Sequence, residues 1–184
     1  IIILDFFNLV LHLYINDHFD HNDFHLKILN ILDQKNNIFL NYNDDNFLGI
    51  LCVPKHSNPS GEIYSDSNLE KMFEIGSNYS KKFLFLFDHA YLIHDFLPTP
   101  EQKPLWELVT KMNVQDQTVI TTSFSKVTFG GGGISFMATS GHSLDLIKKV
   151  RTTMIICPDK LNQKRHVEFF QNVESIKRHM ERHA

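Results

Sequence analysis

Short, mostly apolar runs alternate along the chain with segments in which apolar residues recur every three or four positions. The runs occupy residues 1–4, 47–53, 83–87, 118–122 and 133–138. The two clearest, at 47–53 and 83–87, are continuous rather than alternating, which is typical of strands covered on both faces. The pattern therefore predicts a strand at each run, with helices in the segments between them.

The best-marked helix follows the second run. Residues 67–70, Ser-Asn-Leu-Glu, match a capping box, in which the first and fourth side chains accept hydrogen bonds from each other's backbone N–H groups. The helix behind this box should end near Gly76. It should bury Leu69, Met72, Phe73 and Ile75. Shorter helices are expected at residues 24–32, 104–112 and 144–150.

The tail of the chain predicts one long amphipathic helix over residues 159–183. Its apolar residues follow three- and four-residue steps: Val167, Phe170, Val173, Ile176 and Met180.

The order strand, helix, strand, helix, strand is the rhythm of a parallel sheet with right-handed crossovers. The predicted fold class is therefore α/β, a mainly parallel sheet with helices on both faces. In such sheets ligands bind beyond the carboxyl ends of the strands. Asn58, Asp88 and Lys126 each fall at or just past such an end. The sequence thus predicts one site that contains an amide, a carboxylate and an amine.

Composition excludes several classes of function. A net charge of −3 gives no basic field for a nucleic acid partner. The apolar stretch at residues 1–15 is too short for a bilayer and no cationic region precedes it, so neither a membrane span nor a signal peptide is expected. Cys52 and Cys157 form no C-x-x-C pair, which favours reduced, buried thiols in a cytoplasmic protein. The first residue is Ile and opens a strand-like run, which indicates a fragment.

Lys126 is the candidate nucleophile. It lies in the hydroxyl-rich, largely uncharged segment 121–129, and a lysine withdrawn from water has a lowered pKa and a free amine. Such an amine could bind pyridoxal 5′-phosphate (PLP) covalently and then move a proton between substrate and cofactor. The alternative is an ordinary surface lysine beside a strand.

Asp88 supports the cofactor hypothesis, because a carboxylate that follows five apolar residues needs a partner, and a pyridinium N–H would be one. Tyr91, on the same turn, could donate a hydrogen bond to the cofactor oxygen O3′, and Asn58 could donate to the same oxygen. Ala90 is small enough for a flat ring to lie against its methyl group. The alternatives are a capping aspartate, a packed tyrosine and a turn asparagine.

Two serines and a run of glycines complete the candidate site. Ser123 and Ser125 could give donors to a phosphate, and the glycines at 130–133 allow close backbone approach. These glycines form neither a P-loop nor a dinucleotide fingerprint. Ser123-x-x-Lys126 also matches an acyl-transfer pattern, but its partner motifs are absent from the sequence. The histidines and aspartates of residues 18–25 match no closed zinc pattern, so no metal is predicted.

Three motifs now suggest a family. N-P-S-G at 58–61, D-H-A-Y at 88–91 and S-F-S-K at 123–126, in this order, resemble the fold-type-I PLP-dependent aminotransferases of class I/II. Residues 52–61 and 157–166 are similar to a bacterial-type subgroup of aspartate and alanine–glyoxylate-like (MocR-like) aminotransferases. The likeness runs from about residue 48 to the C-terminus.

The resemblance implies an activity and a set of cofactor contacts. The expected contacts are Lys126 as the Schiff-base lysine, Asp88 on the pyridine nitrogen, Asn58 and Tyr91 on O3′, and Ser123 and Ser125 on the phosphate. The expected reaction moves an amino group between an amino acid and a 2-oxo acid in a homodimer. Residues 1–158 would be part of the PLP-binding large domain, and residues 159–184 a long helix leading towards a missing small domain.

The sequence also departs from the family's pattern. Ile134 stands eight residues after the lysine, where class I enzymes usually place a phosphate-binding arginine, and His89 stands where the subgroup tends to carry Asn. The upstream phosphate loop, the ring-stacking aromatic and the substrate-carboxylate arginine do not occur in this stretch. An inactive or degenerate copy of the fold, and a PLP-dependent lyase on the same scaffold, are therefore alternatives to the aminotransferase.

Overall fold

A five-stranded sheet organises the part of the chain that the computed structural model describes, residues 2–4, 49–128 and 132–183. The strands are β1 (Ile2–Leu4), β2 (Gly49–Cys52), β3 (Leu84–Asp88), β4 (Thr118–Ser123) and β5 (Ser135–Thr139). Their order across the sheet is β1-β5-β4-β3-β2. Every run predicted as a strand is confirmed, with slightly different ends.

The sheet is mixed but mostly parallel, as expected for an α/β fold. β2 pairs in parallel with β3, and β3 with β4, whereas β5 is antiparallel to both β4 and β1. Among the described strands, β5 alone therefore runs against the others. Because β2, β3 and β4 are parallel neighbours, their carboxyl ends lie at one edge of the sheet.

The helix between β2 and β3 is α1 (Asp66–Tyr79). Its N-cap is Ser65, whose extended backbone lets the hydroxyl accept a hydrogen bond from the Asn68 N–H at 3.2 Å. The capping box predicted at residues 67–70 is wrong, because Ser67 already lies in the first helical turn.

The sequence predicted that this helix ends near Gly76, but Gly76 lies inside α1. A Cβ at this position would come within 2.5 Å of the Phe85 ring and 2.7 Å of the Phe83 ring. The missing side chain therefore lets the helix approach the sheet closely.

The core lies between α1, the helix α2 (Leu105–Lys111) and one face of the sheet. Phe73 of α1 is fully buried and packs edge-on against Phe85 at 5.0 Å and Phe87 at 5.6 Å between ring centroids. Such edge-on pairs contribute about 0.5–1.5 kcal/mol each beyond the burial of their surface. The other core members include Ile50, Cys52, Leu69, Met72, Leu108, Val109 and Val114.

The opposite face of β3 is less covered than the sequence predicts. Leu84 is exposed and Leu86 is half-buried, although both belong to the continuous apolar run. Within the described residues, β2 and β3 are therefore fully buried on one face only. Cys52 is buried as expected, but Cys157 is exposed, and neither forms a disulfide.

Three helices follow the sheet: α3 (Gly141–Met154), α4 (Lys160–Phe169) and α5 (Val173–Glu181). The single long helix predicted for the tail is wrong. The helical conformation is interrupted after α4. There Asn172 takes an extended conformation, and its side chain accepts a hydrogen bond from the Ser175 N–H at 2.9 Å, which caps α5. Val167 and Val173, predicted to face inward, are exposed.

Two further predictions concern regions beyond these elements. The helix predicted at residues 24–32 and the histidine-rich segment 18–25 lie outside the described residues. Among the helices that are described, none is long and apolar enough to cross a membrane.

Candidate functional site

The predicted site residues come from three loops at the carboxyl edge of the parallel strands. Asn58 lies in the loop after β2, Asp88 is the last residue of β3, and Lys126 lies in the turn after β4. Strand register pairs Asp88 with Thr121 of β4. The edge predicted from the strand order is therefore present.

Asp88 is held at the end of β3 by groups that favour its charged form. The Ala90 backbone N–H, the positive charge of Lys126 and the nearby Thr121 hydroxyl all favour the charged carboxylate, although the Thr121 hydroxyl itself donates to the Phe87 carbonyl at 3.3 Å. Burial nevertheless raises the pKa of Asp88 above its usual range, since desolvation outweighs these partners. The site therefore brings a carboxylate that is short of partners near an amine.

Lys126 lies on one turn of helix that follows β4. The N–H groups of Val127 and Thr128 both donate to the carbonyl oxygen of Phe124, at 3.0 Å and 2.9 Å. The Lys126 side chain is exposed among the described residues, so the expectation that it is withdrawn from water is not met there.

Tyr91 reaches the Lys126 turn through a histidine. The Tyr91 ring packs edge-on against His94, with centroids 5.3 Å apart. His94 Nε2 lies 3.3 Å from the carbonyl oxygen of Lys126. His94 thus joins the loop after β3 to the loop after β4.

His89 is buried beneath this edge. Its backbone N–H donates to the Thr121 carbonyl at 2.7 Å, and its own carbonyl accepts from the Thr122 hydroxyl at 2.9 Å. Its Nδ1 is buried and has no hydrogen-bond partner among the described residues. Burial, with a smaller contribution from the positive charge of Lys55, lowers the pKa of His89 to about 4, so the ring is neutral at ordinary pH.

Asn58 stands apart from the other site residues. It is exposed, and within the described structure no hydrogen bond links its side chain to Asp88, Tyr91 or Lys126. The base of its loop is tied to the loop after β3, because Lys55 Nζ and His56 Nε2 both contact the carboxylate of Asp95.

The two serines lie together beside a glycine. The Ser125 N–H reaches the Ser123 hydroxyl at 3.4 Å, and both residues are half-buried. A Cβ on Gly133 would lie 2.7 Å from the Ser125 backbone nitrogen. This distance agrees with the expectation that glycine allows close backbone approach here.

Several residues around the site were not predicted from the sequence. The His179 ring of α5 reaches the Val127 carbonyl at 2.7 Å. Asn162 of α4 donates to the Gly132 carbonyl at 2.7 Å, and His166 contacts the Thr128 hydroxyl at 3.3 Å. Their partners are mostly backbone oxygens, and a side-chain pattern carries no signal for those.

Metal chemistry has no support in the part of the chain that is described. No group of three or more His, Cys, Asp or Glu side chains there could hold an ion. The arrangement suits a ligand that offers a proton-bearing ring nitrogen to a carboxylate and an electrophilic carbon to an amine.

Comparison with known proteins shows that the chain is similar to aminotransferases. A protein of Mycolicibacterium smegmatis assigned as an aminotransferase is 32% identical over 141 residues, which cover 76% of this chain and 33% of that protein. The aspartate aminotransferase of Corynebacterium glutamicum is 28% identical over 137 residues, 74% of this chain and 32% of that enzyme. The chain thus spans about a third of the length of the curated relatives it matches.

Solved structures give the same answer for the fold. The crystal structure of a protein from Corynebacterium diphtheriae, assigned as an aminotransferase, superposes with a TM-score of 0.68 at 29% identity, covering 74% of this chain and 34% of that one. The family model of the aspartate amino-transferases matches residues 32–184. This chain therefore belongs to the aspartate amino-transferase family.

Proposed function

We propose that this chain carries cofactor-binding residues of a PLP-dependent aminotransferase. The proposed reaction moves an amino group between an amino acid, aspartate or alanine, and a 2-oxo acid. The observation that carries the proposal is the proximity of Asp88 and Lys126. A largely buried carboxylate at the end of β3 lies within the electrostatic reach of an amine in the loop of the neighbouring strand.

The chemistry of the available groups suits PLP. Burial raises the pKa of Asp88, so its carboxylate gains from a partner that brings a proton or a positive charge, as a pyridine N–H does. Ser123 and Ser125 offer hydroxyl and backbone donors for a phosphate. We propose the same roles for Asn58 and Tyr91 as the family resemblance implies, namely donors to O3′.

Each side chain then has a defined task. Asp88 would hold a proton on the cofactor's ring nitrogen through a charge-assisted hydrogen bond. Lys126 Nζ would hold the cofactor and, when released from it, would take a proton from the substrate Cα. Ala90, with its small side chain, leaves room for the ring. When bound, PLP supplies an electron sink for the bond that breaks at the substrate Cα.

Aspartate with 2-oxoglutarate is the proposed substrate pair, by analogy with the similar enzyme of Corynebacterium glutamicum. We also propose a homodimer that works in the cytoplasm, with the site near the subunit interface. Light scattering on the PLP-loaded protein would give a dimer mass; a monomer at working concentration would contradict this part of the proposal.

The function is tested by Lys126→Ala in the protein that carries this chain. Loss of the proton-moving amine should lower amino-group transfer from aspartate by about 10²- to 10⁴-fold. Lys148→Ala on α3 is the control, because Lys148 is exposed and pairs only with its helix neighbour Asp145 within the described residues. Unchanged turnover in Lys126→Ala would overturn the assignment. A product formed without consumption of 2-oxo acid would favour the lyase.

A further inference from the structure

We infer that two histidines, His94 and His179, position Lys126 by holding the backbone carbonyls of its turn from two separate elements. The inference deepens the proposed function, and it rests on that function where it concerns the Lys126 amine. His94 belongs to the loop after β3 and His179 to helix α5. Neither touches the reacting atoms by this account, so both are positioning residues.

The turn itself creates the need for outside donors. Residues Phe124 to Thr128 form a single helical turn, closed by the Val127 and Thr128 N–H groups on the Phe124 carbonyl. The last carbonyls of any helical segment have no partner within it, so they must bond to other groups or to water. In this turn the carbonyls of Lys126 and Val127 are such groups.

The two histidines reach consecutive carbonyls. His94 Nε2 lies 3.3 Å from the Lys126 oxygen, and His179 Nε2 lies 2.7 Å from the Val127 oxygen. A carbonyl oxygen can only accept, so each ring must carry its proton on Nε2. The buried Nδ1 of His94 has no hydrogen-bond partner among the described residues, so Nε2 is the ring nitrogen through which His94 bonds there.

Aromatic neighbours fix the direction of both rings. His94 packs edge-on between Tyr91 at 5.3 Å and Phe96 at 5.9 Å. His179 packs edge-on against Phe169 and Phe170, each at 5.3 Å. The donors are therefore aimed by packing, and little side-chain freedom is left to lose when the hydrogen bonds form.

A second set of contacts supports the same side of the turn. The Asn162 side chain of α4 donates to the Gly132 carbonyl at 2.7 Å. The backbone carbonyl oxygen of Asn162 lies 2.9 Å from His166 Nδ1. His166 also reaches the Thr128 hydroxyl. Helices α4 and α5 thus contact the chain at Val127 and Thr128 and again at Gly132, so the tail of this chain takes part in building the site.

The experiment separates hydrogen-bond donation from packing. His94 and His179 are changed singly to Phe, which keeps a ring but removes the donor, and singly to Gln, which keeps an N–H donor at a similar reach. His142→Phe is the matched control, because His142 is exposed on α3 and makes no hydrogen bond within the described structure. If the variants at one histidine fail to fold, the variants at the other histidine still decide the question.

Two readouts are taken on the protein that carries this chain, loaded with PLP. The first is amide hydrogen exchange of Val127 and Thr128, which should speed up roughly 2- to 10-fold in the Phe variants, as expected for one lost hydrogen bond. The second is the pH midpoint of the visible PLP absorbance, which should shift in the Phe variants. The Gln variants and His142→Phe should stay near the wild type in both readouts.

Three results would be decisive. Phe variants that match the wild type in both readouts would overturn the inference. Phe and Gln variants that change equally would also overturn it, because packing rather than donation would then hold the turn. If the wild type takes up no PLP on Lys126, the proposed function fails, while hydrogen exchange without cofactor still decides whether the histidines hold the turn.

Discussion

The two loops on either side of Asp88 are held to the sheet edge by different forces. The Lys126 turn receives hydrogen bonds on its backbone carbonyls from His94 and His179, both half-buried. Residues 58–62 of the Asn58 loop are exposed, and the base of the loop is tied by Lys55 and His56 to a carboxylate whose side chain is 40% exposed. The Lys126 turn is therefore held by half-buried hydrogen bonds from packed rings, and the base of the Asn58 loop is held by an ion pair that is accessible to solvent.

The difference suggests a division of labour at the edge. Ion pairs at exposed carboxylates are screened by salt and contribute little, so the Asn58 loop can adjust when a ligand arrives. Hydrogen bonds from packed rings to backbone oxygens are less sensitive to salt, so we expect the backbone of the Lys126 turn to stay in place. We expect perturbations on the buried side to cost more than perturbations on the exposed side.

His89 offers the largest test of the buried side. The pKa of His89 is lowered from 6.5 to about 4 in the folded chain. Between these two pH values the unfolded chain therefore binds a proton at His89 more readily than the folded chain does. Stability should therefore fall as pH drops from about 6.5 towards 4, by about 3 kcal/mol over the whole window. His89→Leu should remove this component, as measured by urea unfolding at several pH values. An equal loss in the variant would contradict the buried, neutral ring.

Asp88→Asn tests the carboxylate next to it. Loss of a charge-assisted hydrogen bond, worth about 1.5–3 kcal/mol, should lower turnover roughly 10- to 150-fold.

The same substitution should raise the stability of the protein, although it lowers turnover. The pKa of Asp88 is raised by burial, so its contribution to folding is full below the ordinary aspartate pKa and is lost as pH rises through the raised value. Without cofactor, Asp88→Asn should therefore melt higher than the wild type at neutral pH, with the gap closing in acid. A variant less stable at neutral pH would contradict the origin of the shift.

Gly133→Ala probes the packing behind the Lys126 turn. The new Cβ would lie 2.7 Å from the Ser125 nitrogen and 2.8 Å from its Cα, so backbone must move. Overpacking of this kind costs about 1–3 kcal/mol. Gly141→Ala is the matched control, since nothing lies within 4 Å of the Cβ it would add. Equal melting temperatures for the two variants would show that Gly133 is not tightly packed.

Asp95→Ala probes the exposed side and should have the smallest effect. Burial is the largest single influence and raises the pKa of Asp95, but the hydrogen bonds from Lys55, His56 and Thr99 and the charge of Lys55 together outweigh it and hold the pKa below its usual range. The stabilisation is thus present above the ordinary aspartate pKa and is lost as pH falls. Screening limits it to about 0–1 kcal/mol. The free energies of unfolding of the wild type and the variant should differ at low salt and converge at high salt. A larger loss of stability that does not depend on salt would contradict the comparison.

The positions of the strands and the polar residues at their ends were predictable from the sequence, because apolar runs mark strands and polar residues end them, whereas the order across the sheet and the antiparallel direction of β5 were not predicted. Asp88 and Lys126 were proposed as site residues on this basis. The cap of α1 was not, since Ser65 and Ser67 are chemically alike and only the backbone conformation of Ser65 decides between them.

The tail and its histidines were harder to predict for a related reason. Apolar periodicity continues across the break at residues 170–172, while the break depends on the backbone of Asn172. His94 and His179 act on carbonyls 32 and 52 residues away along the chain. Every residue has a carbonyl, so no pattern of side chains marks these two as partners.

The central claim, that Lys126 is the amine that binds the cofactor, is tested most directly by chemical trapping. The protein that carries this chain is incubated with PLP, reduced with borohydride, digested and mapped by mass spectrometry. We expect the phosphopyridoxyl group on Lys126, with no label there in Lys126→Ala and an unchanged label in Lys148→Ala. A label on another residue, or no label at all, would contradict the account.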